Sequence, residues 1–329
     1  MVRITCLFLQ HGTFREDNYL PVSNFVFGTV LQMKLETLRE QANRYLDSAD
    51  ESQLGCAHPV EGLMLFRRLK ATPCQSTLYE PVVCLILQGG KEITAGDVTV
   101  QLHAGQSMVV SHDIPLVYRI IEADPGSPYL GVVVTLDIKL LRGLYEEVGG
   151  LARNEESASS LAVHETDPKI LDNLSRYLAL ADDPLDEQVL LAQVRRELHY
   201  RLLAAPHGAM LRKLQHHGST ASNMARAIAY IRRNYRASIP IQEVAKAAGM
   251  SPSSLHNHFR QVTQTTPLQF QKDLRLLEAR QALHSGAETI SSIAFAVGYE
   301  SASQFSREYT RKFGMAPRDD RKHGTKSAP

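Results

Sequence analysis

The chain has 329 residues, of which 22% are charged and 43% hydrophobic, and a formal net charge of +1. That length allows about two domains with sizeable cores, and the balance excludes a disordered or membrane-embedded chain. The near-neutral total conceals an asymmetry: from Thr220 onward 16 Lys and Arg stand against 8 Asp and Glu, so a basic C-terminal third follows an acidic remainder. Such a split points to a nucleic-acid-binding module joined to a part with another task.

The N-terminus "MVRITCLFLQHG" lacks a small-residue cleavage site, and no apolar run reaches the roughly 18 residues of a membrane span. The expected location is the cytoplasm. Cys6, Cys56, Cys74 and Cys84 are scattered without a C-x-x-C pair, against both a zinc ribbon and a disulfide framework. Residues 1–53 read as an N-terminal extension containing a helix from Met33, "MKLETLREQANRYL".

Residues 59–136 read as short strands: "GLMLFRRL", "PVVCLILQ", "KEIT", "DVTVQL", "SMVV", "LVYRII" and "YLGVVVTL". Turn signals at Gly89-Gly90, Ala95-Gly96-Asp97 and Asp124-Pro125-Gly126 separate them, the pattern of a small antiparallel barrel or sandwich. Asp137 then reads as a helix cap with Leu140, Leu144 and Val148 as an apolar stripe behind it. Two further amphipathic helices carry Ile170, Leu174 and Tyr177, and Leu191, Val194, Leu198 and Leu202. They suit the barrel, or a partner subunit covering the same surface. The polar "HHGSTASN" around Gly218 marks the boundary between a domain at 54–217 and a helical one at 218–329.

The helical part contains a degenerate repeat. "IQEVAKAAGMSPSSLHNHFRQVTQ" (241–264) aligns with "ISSIAFAVGYESASQFSREYTRKF" (290–313): a short apolar helix, a Gly, a three-residue turn and a second helix beginning near Ser. Gly249 and Gly298 stand where a left-handed residue ends the first helix. These are two helix-turn-helix units, about 239–262 and 289–313. Between them "PLQFQKDLRLLEARQALHSG" predicts one long connecting helix, with Pro267 at its start and Gly286 past its end.

In the second helix of the first unit, Leu255, Phe259 and Val262 form the apolar stripe, and Ser253, His256, Asn257 and Arg260 line the opposite side. In the second unit Phe305 and Tyr309 are the knobs, with Ser301, Ser303, Gln304 and Arg307 facing away. A solvated surface accepts such rows, and so do DNA base edges: Arg fits guanine, Asn and Gln fit adenine, and Ser and His serve either way. Repetition of the pattern favours DNA. Arg232, Arg233, Arg236, Arg311, Lys312 and Arg318 are candidates for neutralising phosphates.

With "PLQFQKDLRLLEAR" (267–280) and "IAFAVGYESASQFSREYTRKFGMAP" (293–317) in this order, residues 224–321 resemble the AraC/XylS family of transcription regulators. Many members close with Gly-x-x-Pro-x-x-Tyr-Arg, whereas "GMAPRDDR" places Asp320 at the Tyr position. The stretch "LYEPVVCLILQGGKEITAGDVTVQLHAGQSMVVSHDIP" resembles the cupin-like N-terminal domain of one branch of that family. Residues 1–32 resemble neither part, which makes Met33 a candidate native start. The resemblance implies an α+β protein: an N-terminal cupin-like antiparallel barrel with flanking helices, and a C-terminal all-α domain with two helix-turn-helix units. It further implies a sequence-specific regulator controlled by a small-molecule effector, with double-stranded DNA as partner, contact with RNA polymerase and a possible homodimer.

A cupin fold also raises a metal-dependent enzyme. His103 and His112 are nine apart, no His-x-His occurs, and neither Asp97 nor Asp113 completes a ligand set, so no metal or other cofactor is expected. A nonspecific architectural DNA binder is the other alternative. Cys84, in an apolar strand, reads as an inert small hydrophobe or, more sharply, as a reactive thiol. Cys84, Gln88, Tyr118 and Arg119, with Tyr129, are candidates for an effector pocket, their direction depending on strand register.

Overall fold

A computed structural model describes residues 22–48, 55–148, 159–216, 218–286 and 288–327. Among the described residues ten antiparallel strands form the N-terminal half: β1 (Cys56–Val60), β2 (Leu63–Arg68), β3 (Gln75–Tyr79), β4 (Val82–Gln88), β5 (Gly90–Ala95), β6 (Val98–His103), β7 (Gln106–Val110), β8 (Ile114–Glu122), β9 (Tyr129–Thr135) and β10 (Leu161–Glu165). Six of them pair in the order β1-β2-β9-β4-β7-β10 and four in the order β3-β8-β5-β6. Side chains alternate across β4. Val82, Cys84 and Ile86 enter the space between the sheets, while Val83, Leu85 and Leu87 face a layer of helices. With both faces covered, "PVVCLILQ" and "YLGVVVTL" are continuous apolar runs rather than alternating ones.

The helical layer consists of α1 (Val22–Ser48), α2 (Ile138–Glu147), α3 (Pro168–Ala179) and α4 (Pro184–Ala204). Leu35, Leu38, Ala42 and Leu46 of α1 are buried in the same core as the β4 and β9 side chains. Of the segment expected as an extension, the described residues 22–48 therefore pack on the barrel, and their helix begins at Val22, ahead of Met33. Asp137 caps α2 by accepting from Lys139 and Leu140 N–H. The buried pair is Leu141 and Leu144, with Val148 exposed. The expected four-residue spacing advances by about 40° at each step, so its last member turns to water.

Three strands that the sequence reading left out, β1, β3 and β10, all lie at sheet edges. β1 carries Pro59, and every residue of β3 is half-buried. Edge strands have less core to face and so a weaker apolar pattern.

After α5 (Ala209–Gln215) come α6 (Thr220–Asn234), α7 (Ile241–Ala248), α8 (Pro252–Thr263), α9 (Pro267–Ser285), α10 (Ile290–Ala296), α11 (Ala302–Phe313) and α12 (Pro317–Ser327). The long helix α9 serves two cores. Phe270 and Leu274 pack with α6, α7 and α8, and Leu276, Ala279 and Leu283 pack with α10 and α11. Gly249 and Gly298 adopt φ of 70° and 95°. At Gly298 a Cβ would stand 1.9 Å from the Arg236 carbonyl oxygen, so the turn before α11 lies directly on the chain that follows α6.

Candidate nucleic-acid interface

Ser251 caps α8, its hydroxyl accepting from Ser254 N–H at 3.2 Å, and Pro252 occupies the first turn, where its missing donor costs nothing. With Leu255, Phe259 and Val262 turned into the core, Ser253, His256, Asn257 and Arg260 are exposed. In α11, Phe305 and Tyr309 are fully buried, which leaves Ser303, Gln304, Arg307 and Arg311 exposed. Ser301 is the α11 cap and accepts from Gln304 N–H at 3.4 Å, so its hydroxyl hydrogen is what remains for another partner. The Gln304 amide reaches Glu308 at 3.3 Å.

The basic residues divide. Arg233, Arg236, Arg311 and Arg318 are exposed, and Arg236 stacks on the Tyr235 ring. Two residues expected at phosphates have partners within the protein. Arg232 is held between Asp113 (2.6 Å) and Glu80 (2.9 Å) of the barrel. Lys312 binds Asp273 of α9 at 2.9 Å, because a carboxylate this buried requires a counter-charge.

The structure also gives roles to Arg275, which carried no signal of its own, and to Asp320. Arg275 of α9 donates to the carbonyls of Tyr235 (2.7 Å), Ala237 (2.8 Å) and Gly298 (2.8 Å). One guanidinium thus ties the entry of the first unit to the turn of the second. Asp320 is buried and accepts from Tyr309 Oη (2.7 Å), Arg280 Nε (2.9 Å) and His284 Nε2 (3.0 Å). Burial works against its charge, but those donors outweigh it and hold the carboxyl below the usual aspartate range. A polar tie therefore closes the second unit where the family pattern places a Tyr.

The barrel clasps α8. Gly96, at the tip of the β5–β6 hairpin, adopts φ of 57°, and a Cβ there would lie 1.8 Å from the Gln264 carbonyl oxygen at the α8 C-cap. Ser160 donates through its N–H (3.2 Å) and hydroxyl (2.6 Å) to the Val262 carbonyl. Arg260 Nη2 lies 3.2 Å from Asp97 Oδ2. Nearby, His112 is fully buried with Nε2 at 3.0 Å from the Ala221 carbonyl of α6. Burial pulls its pKa down to about 4, so the imidazole is neutral, and Nε2 must carry the hydrogen it donates, with Nδ1 accepting from Ser111.

Between the barrel and α9 runs a cleft of about 820 Å³, lined among others by Tyr79, Tyr118 and Val133 on one side and Leu274 and Leu277 on the other. Of the expected pocket residues, Tyr118 lines it, and Cys84 is buried in the barrel interior, where burial raises the thiol pKa and disfavours the reactive thiolate. Arg119, one residue along β8 from Tyr118, takes the opposite face and pairs with Glu92 at 2.7 Å. Gln88 follows a register shift in β4 that breaks the alternation, and its amide donates to the Pro128 carbonyl at 2.9 Å. Among the described residues no group of three or more His, Cys, Asp or Glu stands where it could hold a metal. His103 is exposed beside Glu122.

Residues 59–210 match the AraC-type transcriptional regulator N-terminus, and residues 244–323 match a helix-turn-helix domain. The chain belongs to the AraC family. Relatives of this AraC-family chain include the transcriptional activator RhaS of Citrobacter koseri, 27% identical over 154 residues, which are 46% of this chain and 54% of RhaS. The regulator CdhR of Pseudomonas aeruginosa is 31% identical over 139 residues, 42% of this chain and 38% of CdhR. The chain thus spans about half, or less, of these relatives' lengths. The apo form of a ToxT variant from Vibrio cholerae superposes with a TM-score of 0.54 over 80% of this chain and 98% of its own, at 11% identity. Wild-type ToxT with unsaturated fatty acid bound gives 0.55 over 79% and 94%, also at 11% identity. At that identity the likeness establishes the two-domain fold.

Proposed function

We propose that this chain is a sequence-specific DNA-binding transcription regulator whose barrel domain binds a small-molecule effector. The observation that carries the reading is the pair of exposed polar faces on α8 and α11, each backed by its own core and both braced on α9. Arg260 and Arg307 read guanine, Asn257 and Gln304 read adenine, and Ser253, His256, Ser303 and the Ser301 hydroxyl hydrogen assist. Arg233, Arg236, Arg311 and Arg318 bind phosphates. Two units on one stiff helix address successive major-groove segments without dimer symmetry, and a homodimer reads a longer repeated site. The bound protein acts in the cytoplasm and signals through contact with RNA polymerase.

An effector in the cleft touches both domains, so it binds the clasped and released arrangements of α8 unequally and shifts their populations. The unsaturated fatty acid bound by ToxT, a protein of the same fold, supports a small organic ligand for this chain. Footprinting on the DNA upstream of the protein's own gene, with random DNA as competitor at moderate salt, tests the reading. Two adjacent protected segments are expected, and Arg307→Ala should weaken the specific site by about 1–3 kcal/mol while leaving random DNA nearly unchanged. Equal loss on both reassigns Arg307 to phosphate. An absence of any preference, with the wild-type protein binding all DNA alike, leaves an architectural binder.

A further inference from the structure

Glu308 is the only acidic residue of α11, a helix whose other charges, Arg307, Arg311 and Lys312, suit a polyanion. A carboxylate beside a phosphate backbone opposes binding unless a cation neutralises it. The Glu308 side chain is only 15% exposed. Its Oε2 accepts from Tyr299 Oη at 2.9 Å, and its Oε1 accepts from Lys272 Nζ of α9 at 3.2 Å and from the Gln304 amide Nε2 at 3.3 Å. Tyr299 is itself buried in the core of the second unit, edge-on to the Phe305 ring. Burial works against the Glu308 charge, but the three donors outweigh it and hold the carboxyl below the usual glutamate range. The group is an anchored anion, matched by Lys272.

Lys272 and Tyr299 make an ordinary tie between α9, the turn and α11. The Gln304 contact differs in kind, because it joins that anchored group to a side chain exposed on the polar face. Four residues apart, the two lie on the same side of the helix. An ionised carboxylate accepts and never donates, so it meets the amino side of the amide and rejects the carbonyl side. With one amino hydrogen on Glu308, the other and the carbonyl oxygen remain as a donor beside an acceptor in a fixed order. That pair matches adenine, whose N7 accepts and whose N6 amino group donates. An amide without such an anchor turns over freely, offers the two atoms in either order and loses rotamer freedom on binding.

We propose that Glu308 is a positioning residue for sequence recognition: anchored by Tyr299 and Lys272, it holds the Gln304 amide in one orientation before DNA arrives and so sets the preference for adenine at the base pair that Gln304 meets. This rests on the DNA-reading assignment above and adds the residue that aims one of its readers.

Selection of bound sites from randomised duplexes by the full chain tests it, with wild type, Gln304→Ala, Glu308→Gln and the double variant. Gln304→Ala identifies the base pair concerned, where the wild type should prefer adenine by about tenfold or more. Glu308→Gln replaces the carboxylate with an amide that donates or accepts, so the adenine preference there should fall to about twofold or less. Preferences at the pairs met by Arg307 and by α8 should stay as they were. In the Gln304→Ala background Glu308→Gln should change no preference, whereas a purely structural ion pair would shift every position read by α11 with or without Gln304. An undiminished adenine preference in Glu308→Gln, an equal loss at all α11 positions, or a wild-type preference for another base at the Gln304 pair overturns the proposal and leaves the DNA-reading assignment intact. A wild type that selects no sequence removes that assignment, and the proposal falls with it. If Glu308→Gln does not fold, the side-chain amide spectrum of the wild type without DNA decides. The Gln304 amide, assigned by its loss in Gln304→Ala, should be rigid with one proton shifted downfield by the carboxylate, and a mobile, unshifted pair overturns the proposal.

Discussion

In the first helix-turn-helix unit the C-terminal end of α8 is pressed against Gly96, receives hydrogen bonds from Ser160 and offers Arg260 to Asp97. In the second, no hydrogen bond or ion pair joins α10 or α11 to the barrel among the described residues. Instead α11 is held from within its own domain by Asp320 on Tyr309 and by Lys272 on Glu308. Near-repeated sequence thus produces the same local structure in two different settings. The first unit is tied to the barrel, and the second is held within its own domain.

The largest expected effect removes the brace common to both units. Arg275→Met leaves the Gly298 carbonyl without its donor and the Tyr235 and Ala237 carbonyls with the Gln271 amide alone, and should cost about 3 kcal/mol. Urea unfolding followed by circular dichroism should show the helical domain melting earlier, and an unshifted midpoint would mean that the units do not depend on this tie.

Next comes Asp320→Asn, which should destabilise the second unit by about 2 kcal/mol, since Arg280 and His284 lose their counter-charge while remaining partly solvated. The carboxyl's pKa is lowered in the folded state. Its contribution is therefore present at neutral pH and lost as acid takes the pH below the ordinary aspartate range. Melting profiles over that range should slope for the wild type and flatten for the Asn variant.

Gly96→Val tests the asymmetry directly. The side chain cannot be accommodated beside the Gln264 carbonyl, nor is φ of 57° favourable for it. The hairpin should move off α8. The protected segment read by the first unit should then become insensitive to barrel ligands, with affinity changed by about threefold to tenfold, or roughly 0.7–1.4 kcal/mol, and the second segment should be unaltered. Equal response of both segments would end the distinction drawn between the units. The smallest effect belongs to Asp97→Ala. Both partners of its pair with Arg260 are largely exposed, so the change should stay under about 1 kcal/mol and vanish at high salt, which DNA titrations at two ionic strengths measure.

Local chemistry carried much of the molecule. The central strands, the helix caps at Asp137, Ser251 and Ser301, the left-handed glycines and both helix-turn-helix units follow from patterns that extend over a few residues, because backbone geometry and side-chain periodicity act over that range. The exposed polar faces of α8 and α11 were legible for the same reason: once the apolar stripe is placed, the opposite side is determined.

What only the tertiary structure decided is which charges meet. Asp113 lies 119 residues from Arg232, and nothing in either neighbourhood announces the pair. The same holds for Lys312 with Asp273, for Arg275 spanning two turns, and for the side of β8 on which Arg119 lies. Helix and strand patterns are written by near neighbours along the chain, whereas electrostatic partners are chosen by burial, which depends on how distant segments come to share one interior.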